Sequence, residues 1–179
     1  MEDNLVKCSR VPGLNIGIRN EKPDDAARIH EVIELAFRAA PHTDHREQFI
    51  VKALRDCGTL TVSLVAEVDG KIIGHVAISP VTISDGAAEW YGLGPISVLP
   101  EYQGKGIGTK LMNKALTEIE IKGAAGCVVL GEPDYYGRFG FKAVDGLIFP
   151  GVPPEYFQAQ AFRGATPRGE VTYQEAFYA

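Results

Sequence analysis

The sequence lacks the features of a disulfide-stabilised, membrane-spanning or nucleic-acid-binding protein. Its 179 residues include three cysteines, Cys8, Cys57 and Cys127, and no two of them have CxxC spacing, so we expect reduced thiols and a cytoplasmic protein. No apolar run approaches the roughly 18 residues of a membrane span, and the polar start of the chain has no signal-peptide core. The net charge is −5, from 18 basic and 23 acidic side chains. This acidic balance argues against a nucleic-acid partner.

The composition that remains is ordinary for one α/β domain. Hydrophobic residues make up 45% and charged residues 23% of the chain, and a chain of this size buries about 70% of the surface that its unfolded form exposes. We interpret residues 1–14 as a flexible leader and residues 15–179 as a single domain. Changes between helical and strand periodicity predict the element order β, αα, βββ, α, β, α, followed by two or three terminal strands.

The sharpest motif is a glycine-rich segment over residues 99–109, where a predicted strand ends and a helix begins. Its alternate glycines, Gly104, Gly106 and Gly108, remove side chains from the first helical turn. Backbone can then approach a ligand closely, and the free N–H groups and the helix dipole favour an anion. A plain turn does not explain glycines inside a helix, where each costs about 1 kcal/mol relative to alanine. We therefore predict a phosphate-binding loop, although its spacing fits neither a dinucleotide fingerprint nor a nucleotide-triphosphatase loop.

Two motifs together resemble the GNAT acyl-CoA N-acyltransferase family. The spacing Gln103-x-x-Gly106-x-Gly108 resembles the family's pyrophosphate loop, and Tyr136, four residues before Gly140-Phe141, resembles its second signature. The resemblance covers about residues 16–144. It implies an α/β fold with a mixed, mostly antiparallel sheet flanked by helices. Residues 144–179 then form an atypical C-terminal extension of the sheet, as in a sub-branch of uncharacterised bacterial-type members.

The resemblance also implies a reaction and a set of cofactor contacts. The reaction is direct transfer of the acetyl group of acetyl-CoA to a primary amine in a ternary complex. The pyrophosphate of coenzyme A would lie on the loop, and the strand before it would pair with the pantetheine arm. The N–H of Val98 would donate to the developing oxyanion of the thioester. The residues so implied for cofactor binding are Ile96, Ser97, Val98, Gln103, Gly104, Lys105, Gly106, Ile107, Gly108 and Thr109.

By its register in the second signature, Tyr136 is the implied general acid, because a phenol can protonate or stabilise the departing thiolate. Tyr135 is the alternative, and simple aromatic packing of both side chains stays open. The asparagine that many members carry after the fifth strand is absent from residues 130–134. No general base is assigned. The candidates by position are Glu89, Glu132, Asp134 and His75.

Two functions other than acetyl transfer are compatible with parts of the sequence. A non-catalytic acyl-CoA-binding or sensing module on the same fold is the alternative, although retention of Tyr136 argues against it. A dinucleotide-dependent oxidoreductase is disfavoured by the glycine spacing and by the antiparallel hairpins. The expected partner is a small-molecule or peptide amine, with no nucleic acid and no membrane, and a homodimer is left open. We expect no metal site, because His42 and His45 lack a third ligand.

Overall fold

The computed structural model describes residues 14–41 and 43–179. Most of the predicted leader, residues 1–13, lies outside the described residues, and so does His42.

Nine strands and four α-helices make up the described parts of the chain, together with short 3₁₀ turns. The strands are β1 (Ile16–Asn20), β2 (Val62–Val68), β3 (Lys71–Pro80), β4 (Thr82–Ile83), β5 (Trp90–Val98), β6 (Gly126–Leu130), β7 (Leu147–Ile148), β8 (Phe157–Ala161) and β9 (Gly169–Thr172). The helices are α1 (Ala26–Phe37), α2 (Glu47–Asp56), α3 (Ile107–Ile121) and α4 (Pro133–Tyr136).

The main sheet has six strands in the order β1-β2-β3-β5-β6-β8, and only the β5–β6 pair is parallel. Helix α3 covers one face, because a Cβ at Gly74 in β3 would meet Leu111 of α3. Successive strand residues face opposite sides, so His75 points to the other face. There α1 packs against β3 and β5, and α2 packs against α1. The expected mixed, mostly antiparallel sheet flanked by helices is confirmed.

The C-terminal segment adds only part of itself to this sheet. Strand β8 pairs with β6 at the sheet edge, whereas β9 joins β4 and β7 in a separate three-stranded sheet. The extension over residues 144–179 that the sequence predicts is thus divided between two sheets. The first of the terminal strands that the sequence predicts, at Phe141–Val144, does not form, and that prediction is wrong: Phe141 is buried in the core, and only Lys142 bridges to β8 before the chain turns away.

The feature of the fold that positions the site is the divergence of β5 from β6. Their pairing covers Trp90–Leu93 and then stops, although β5 continues to Val98. At the same point β5 bulges, because Gly94 and Pro95 together oppose the single residue Ala77 of β3. From the bulge onward, none of the described strands lies beside this edge of β5. Within the described ranges, no helix is both long enough and apolar enough to cross a membrane.

Candidate active site

The open edge of β5 presents backbone donors in a definite order. Leu99 donates its N–H to Ile73 of β3, and the register pairs His75 with Ser97. Hydrogen-bonded and non-hydrogen-bonded pairs alternate in an antiparallel ladder, so the N–H groups of Ile96 and Val98 point away from β3. Both face the space that opens where β6 leaves β5.

The glycine loop follows this edge directly. After a 3₁₀ turn at Pro100–Tyr102, the Gln103 side chain folds back and its Nε2 donates to the Val98 carbonyl at 3.0 Å. Gly104 and Gly106 have backbone φ angles of +72° and +77°, values that residues other than glycine rarely adopt. Gly106 is the N-cap of α3, so the first N–H groups of that helix have no partner inside it. The loop therefore ends in a set of free backbone donors.

A cavity of about 450 Å³ lies between the open edge and the loop. Of the ten residues predicted for cofactor binding, nine line it, and Lys105 does not. The Lys105 ammonium instead donates to the Glu101 carbonyl at 2.8 Å and lies 5.3 Å from the centre of the Tyr102 ring. Tyr102, Tyr135 and Arg138 complete the lining.

Tyr135 and Arg138 line the cavity beside the first turn of α3. A Cβ at Gly108 would lie 2.8 Å from the Tyr135 hydroxyl, so that hydroxyl reaches the first turn of α3. The Arg138 guanidinium stacks 4.7 Å from the centre of the Tyr135 ring, and its Nε donates to the Tyr135 carbonyl at 3.3 Å. Sequence reasoning missed Arg138, although it lies only two residues after Tyr136. Tyr135 was considered only as a reserve acid.

Tyr136 is not among the residues that line the cavity; its ring meets that of Tyr135 edge-to-face at 4.9 Å. Its ring packs against Gly131, where a Cβ would lie 2.5 Å from Cε2, and meets Phe141 edge-to-face at 6.2 Å. Gly131 follows β6 at the point where β5 and β6 have separated. Burial raises the pKa of Tyr136 well above its ordinary value. The phenol is therefore neutral at physiological pH and can donate its proton.

The four candidates for the general base are scattered. Glu89 is exposed and precedes β5 at the end remote from the loop, while Glu132 and Asp134 are exposed at the start of α4. His75 is fully buried on the face of the sheet against which α1 packs. The structure does not bring these side chains together. Across residues 14–41 and 43–179, no three His, Cys, Asp or Glu side chains are arranged to hold a metal ion.

His75 is held by a hydrogen-bonded chain that ends on α2. Its Nε2 lies 2.8 Å from the Ser63 hydroxyl, which donates to Glu21, and Glu21 accepts from Arg55 at 2.6 and 3.0 Å. Ser63 has one proton and gives it to Glu21, so its oxygen accepts from Nε2–H and Nδ1 is unprotonated. Burial lowers the pKa of His75 to about 4, so the ring is neutral. It has no exposed surface for contact with a substrate.

Comparison with known proteins identifies the family of the chain. The model of the GNAT acetyltransferase domain matches residues 60–143. The uncharacterized N-acetyltransferase YhbS of Escherichia coli K12 is 37% identical over 126 residues, which are 70% of this chain and 72% of that protein. The chain belongs to the GNAT N-acetyltransferase family. It is therefore an acyltransferase by family.

Two crystal structures of family members share the whole architecture. A GNAT acetyltransferase from Brucella melitensis, solved in complex with acetyl-CoA, is 49% identical, with a TM-score of 0.81 over 90% of this chain and 97% of that one. Escherichia coli YhbS, solved in complex with CoA, is 34% identical, with a TM-score of 0.82 over 95% of this chain and 96% of that one. The similarity thus extends beyond the matched domain to the C-terminal segment.

Proposed function

We propose that the protein transfers the acetyl group of acetyl-CoA directly to a primary amine of a small molecule or peptide. The observation that carries this proposal is the cavity in which the glycine loop meets the open edge of β5. A Cβ at Gly104 or Gly106 would have no neighbour within 4 Å, so the loop offers open space beside its free N–H groups. This space suits a pyrophosphate, and the acetyl-CoA and CoA complexes of the two relatives support the same ligand here.

The pantetheine arm would run from the loop along β5. The Val98 carbonyl already accepts from Gln103, but the N–H groups of Val98 and Ile96 are free to donate to the ligand. Val98 is the oxyanion donor that the sequence predicts. Ile96 lies one pleat further from the loop and next to the bulge. Because the thioester is at the far end of the arm from the pyrophosphate, Ile96 is the second candidate, with Val98 then binding an amide of the arm.

The proposed chemistry places Tyr136 as the general acid. The neutral amine nitrogen forms a bond to the thioester carbon and loses one proton to solvent as the amide forms. The carbon–sulfur bond breaks, the sulfur takes a proton from the phenol, and the phenolate takes a proton back from solvent. The raised pKa of Tyr136 keeps that proton available at neutral pH. The Tyr135 hydroxyl is directed to the first turn of α3, where the pyrophosphate would lie, so we assign Tyr135 to cofactor binding.

We assign no side chain as the general base. His75 has an unprotonated Nδ1, but the ring is fully buried and cannot touch the amine. Loss of the ammonium proton to solvent before attack fits this site better.

A thiol-release assay with acetyl-CoA against a panel of amines, polyamines, amino acids and peptides tests the proposal. With an accepted amine, we expect Tyr136→Phe to lower kcat by about 10²–10⁴-fold. The affinity for acetyl-CoA, measured by calorimetry, should change little because the ring is retained. Tyr156→Phe, which alters a tyrosine outside the cavity, is the matched control.

Two results would count against the enzyme. Unchanged kcat in Tyr136→Phe would remove the tyrosine from the chemistry. Tight binding of acetyl-CoA without thiol release on any amine would favour the sensing module instead.

The raised pKa also means that Tyr136 should produce no alkaline limb in the rate profile below about pH 10.

A further inference from the structure

Among the described residues, Arg138 is the one charged side chain in the lining of the cavity. Within the part of the chain that the structure describes, it makes no ion pair, not even with Asp134 four residues earlier. An arginine without a carboxylate partner on the wall of a cavity is available to a ligand anion.

The stacking of Arg138 orients its remaining donors. The guanidinium lies over the rings of Tyr135 and Phe139, at 4.7 and 5.5 Å from their centres. Its Nε donates to the Tyr135 carbonyl. Among the described residues, its two terminal nitrogens have no hydrogen-bond acceptor. A guanidinium held flat in this way presents a fork that fits two oxygens of a phosphate.

We propose that Arg138 binds the 3′-phosphate of coenzyme A and so lets the site distinguish acetyl-CoA from its 3′-dephospho form. This inference rests on the proposed function. The backbone donors of the glycine loop suffice for the pyrophosphate, which leaves the 3′-phosphate as the second anionic group of the ligand. A phosphate monoester carries nearly two negative charges at neutral pH. Arg138 lines the same cavity as the loop and stacks on the ring of Tyr135, whose hydroxyl reaches Gly108 at the start of α3.

The test is a pair of binding constants for each of four proteins. Calorimetry measures acetyl-CoA and acetyl-3′-dephospho-CoA with the wild type, Arg138→Gln, Arg138→Lys and Lys142→Gln. We expect the wild type to prefer the 3′-phosphorylated ligand by roughly 10–100-fold, the range of a charge-assisted hydrogen bond. Arg138→Gln should lose this preference, because only its affinity for the 3′-phosphorylated ligand should fall. Arg138→Lys should retain part of it.

The control and the opposing outcomes are equally specific. Lys142→Gln removes a nearby exposed positive charge that does not line the cavity, and it should keep the full preference. If Arg138→Gln lost the same factor of affinity for both ligands, the guanidinium would be binding the pyrophosphate, and this would overturn the proposal. An unchanged preference also overturns it. If the wild type bound neither ligand, the proposed function itself would fail.

Discussion

Replacing Gly108 with alanine should separate the stability of the fold from the binding of acetyl-CoA. Gly108 is the second residue of α3, and its φ is not in the left-handed region. An alanine can adopt its backbone conformation without strain. The added methyl group would face the cavity and would lie 2.8 Å from the Tyr135 hydroxyl. The fold tolerates the methyl group if the Tyr135 hydroxyl, the far end of a flexible side chain, shifts aside, whereas the ligand space does not tolerate it.

The two effects have opposite signs. Alanine is favoured over glycine in a helix by up to about 1 kcal/mol, so the free energy of unfolding should stay the same or rise by at most that amount. The methyl group keeps an anion from close approach to the first-turn N–H groups. Losing one charge-assisted hydrogen bond costs about 1.5–3 kcal/mol, so the dissociation constant for acetyl-CoA should rise by roughly 10–100-fold.

Calorimetry with acetyl-CoA and urea unfolding measure the two quantities on one preparation. Gly17→Ala is the control, because a Cβ at this strand position in β1 meets nothing within 4 Å and lies outside the cavity. The double variant Gly108→Ala/Tyr135→Phe removes the hydroxyl that the methyl would displace. Affinity restored in this variant would show that Gly108 acts through Tyr135. Wild-type affinity in Gly108→Ala alone would refute the steric role given to Gly108; it would leave the loop assignment standing, because the family motif that the loop resembles accepts glycine or alanine at this position.

Two further predictions concern buried groups away from the cavity. Because burial lowers the pKa of His75 from 6.5 to about 4, the unfolded chain takes up a proton first as the pH falls. The free energy of unfolding should therefore decrease from pH 6.5 to 4, by up to about 3 kcal/mol. Urea unfolding of His75→Gln across this window should show a shallower dependence, and parallel curves would contradict the reasoning. Iodoacetamide should modify the exposed Cys57 in the native protein and spare the buried Cys127, because burial raises the pKa of that thiol. Equal labelling of the two in peptide mass spectra would refute this.

The glycine loop was predictable from sequence because its geometry is local. Gly104 and Gly106 take positive φ within a few residues of the helix that they introduce, and Gln103 closes the turn on Val98. Residue types at fixed spacing are enough to specify such a structure. Lys105 shows the limit of this reasoning: its ammonium finds the Glu101 carbonyl and turns away from the cavity.

The part of the lining after β6 was not predictable, because it depends on a contact between segments distant in sequence. Arg138 stacks on Tyr135 only three residues away, but nothing in the chain indicates that the Tyr135 hydroxyl reaches Gly108 of α3 and so brings both side chains into the cavity lining. The partners of the terminal strands are likewise distant in sequence and cannot be inferred from a local pattern. Alternating residues predict a strand near Val171, but its partner is β4, far earlier in the chain.

Two aromatic rings that pack on glycines help to fix the position of the second signature, which contains Tyr136, relative to the glycine loop. A Cβ at Gly131 would lie 2.5 Å from the Tyr136 ring, and a Cβ at Gly126 would lie 2.4 Å from the Trp90 ring. No real side chain tolerates such contacts, so the rings can take these positions only because both residues are glycine. Trp90 starts the paired part of β5, and Gly131 follows the end of β6, so the two contacts lie on either side of the divergence. The position of the proposed acid therefore depends on Gly131, which neither signature contains, and on where β6 ends.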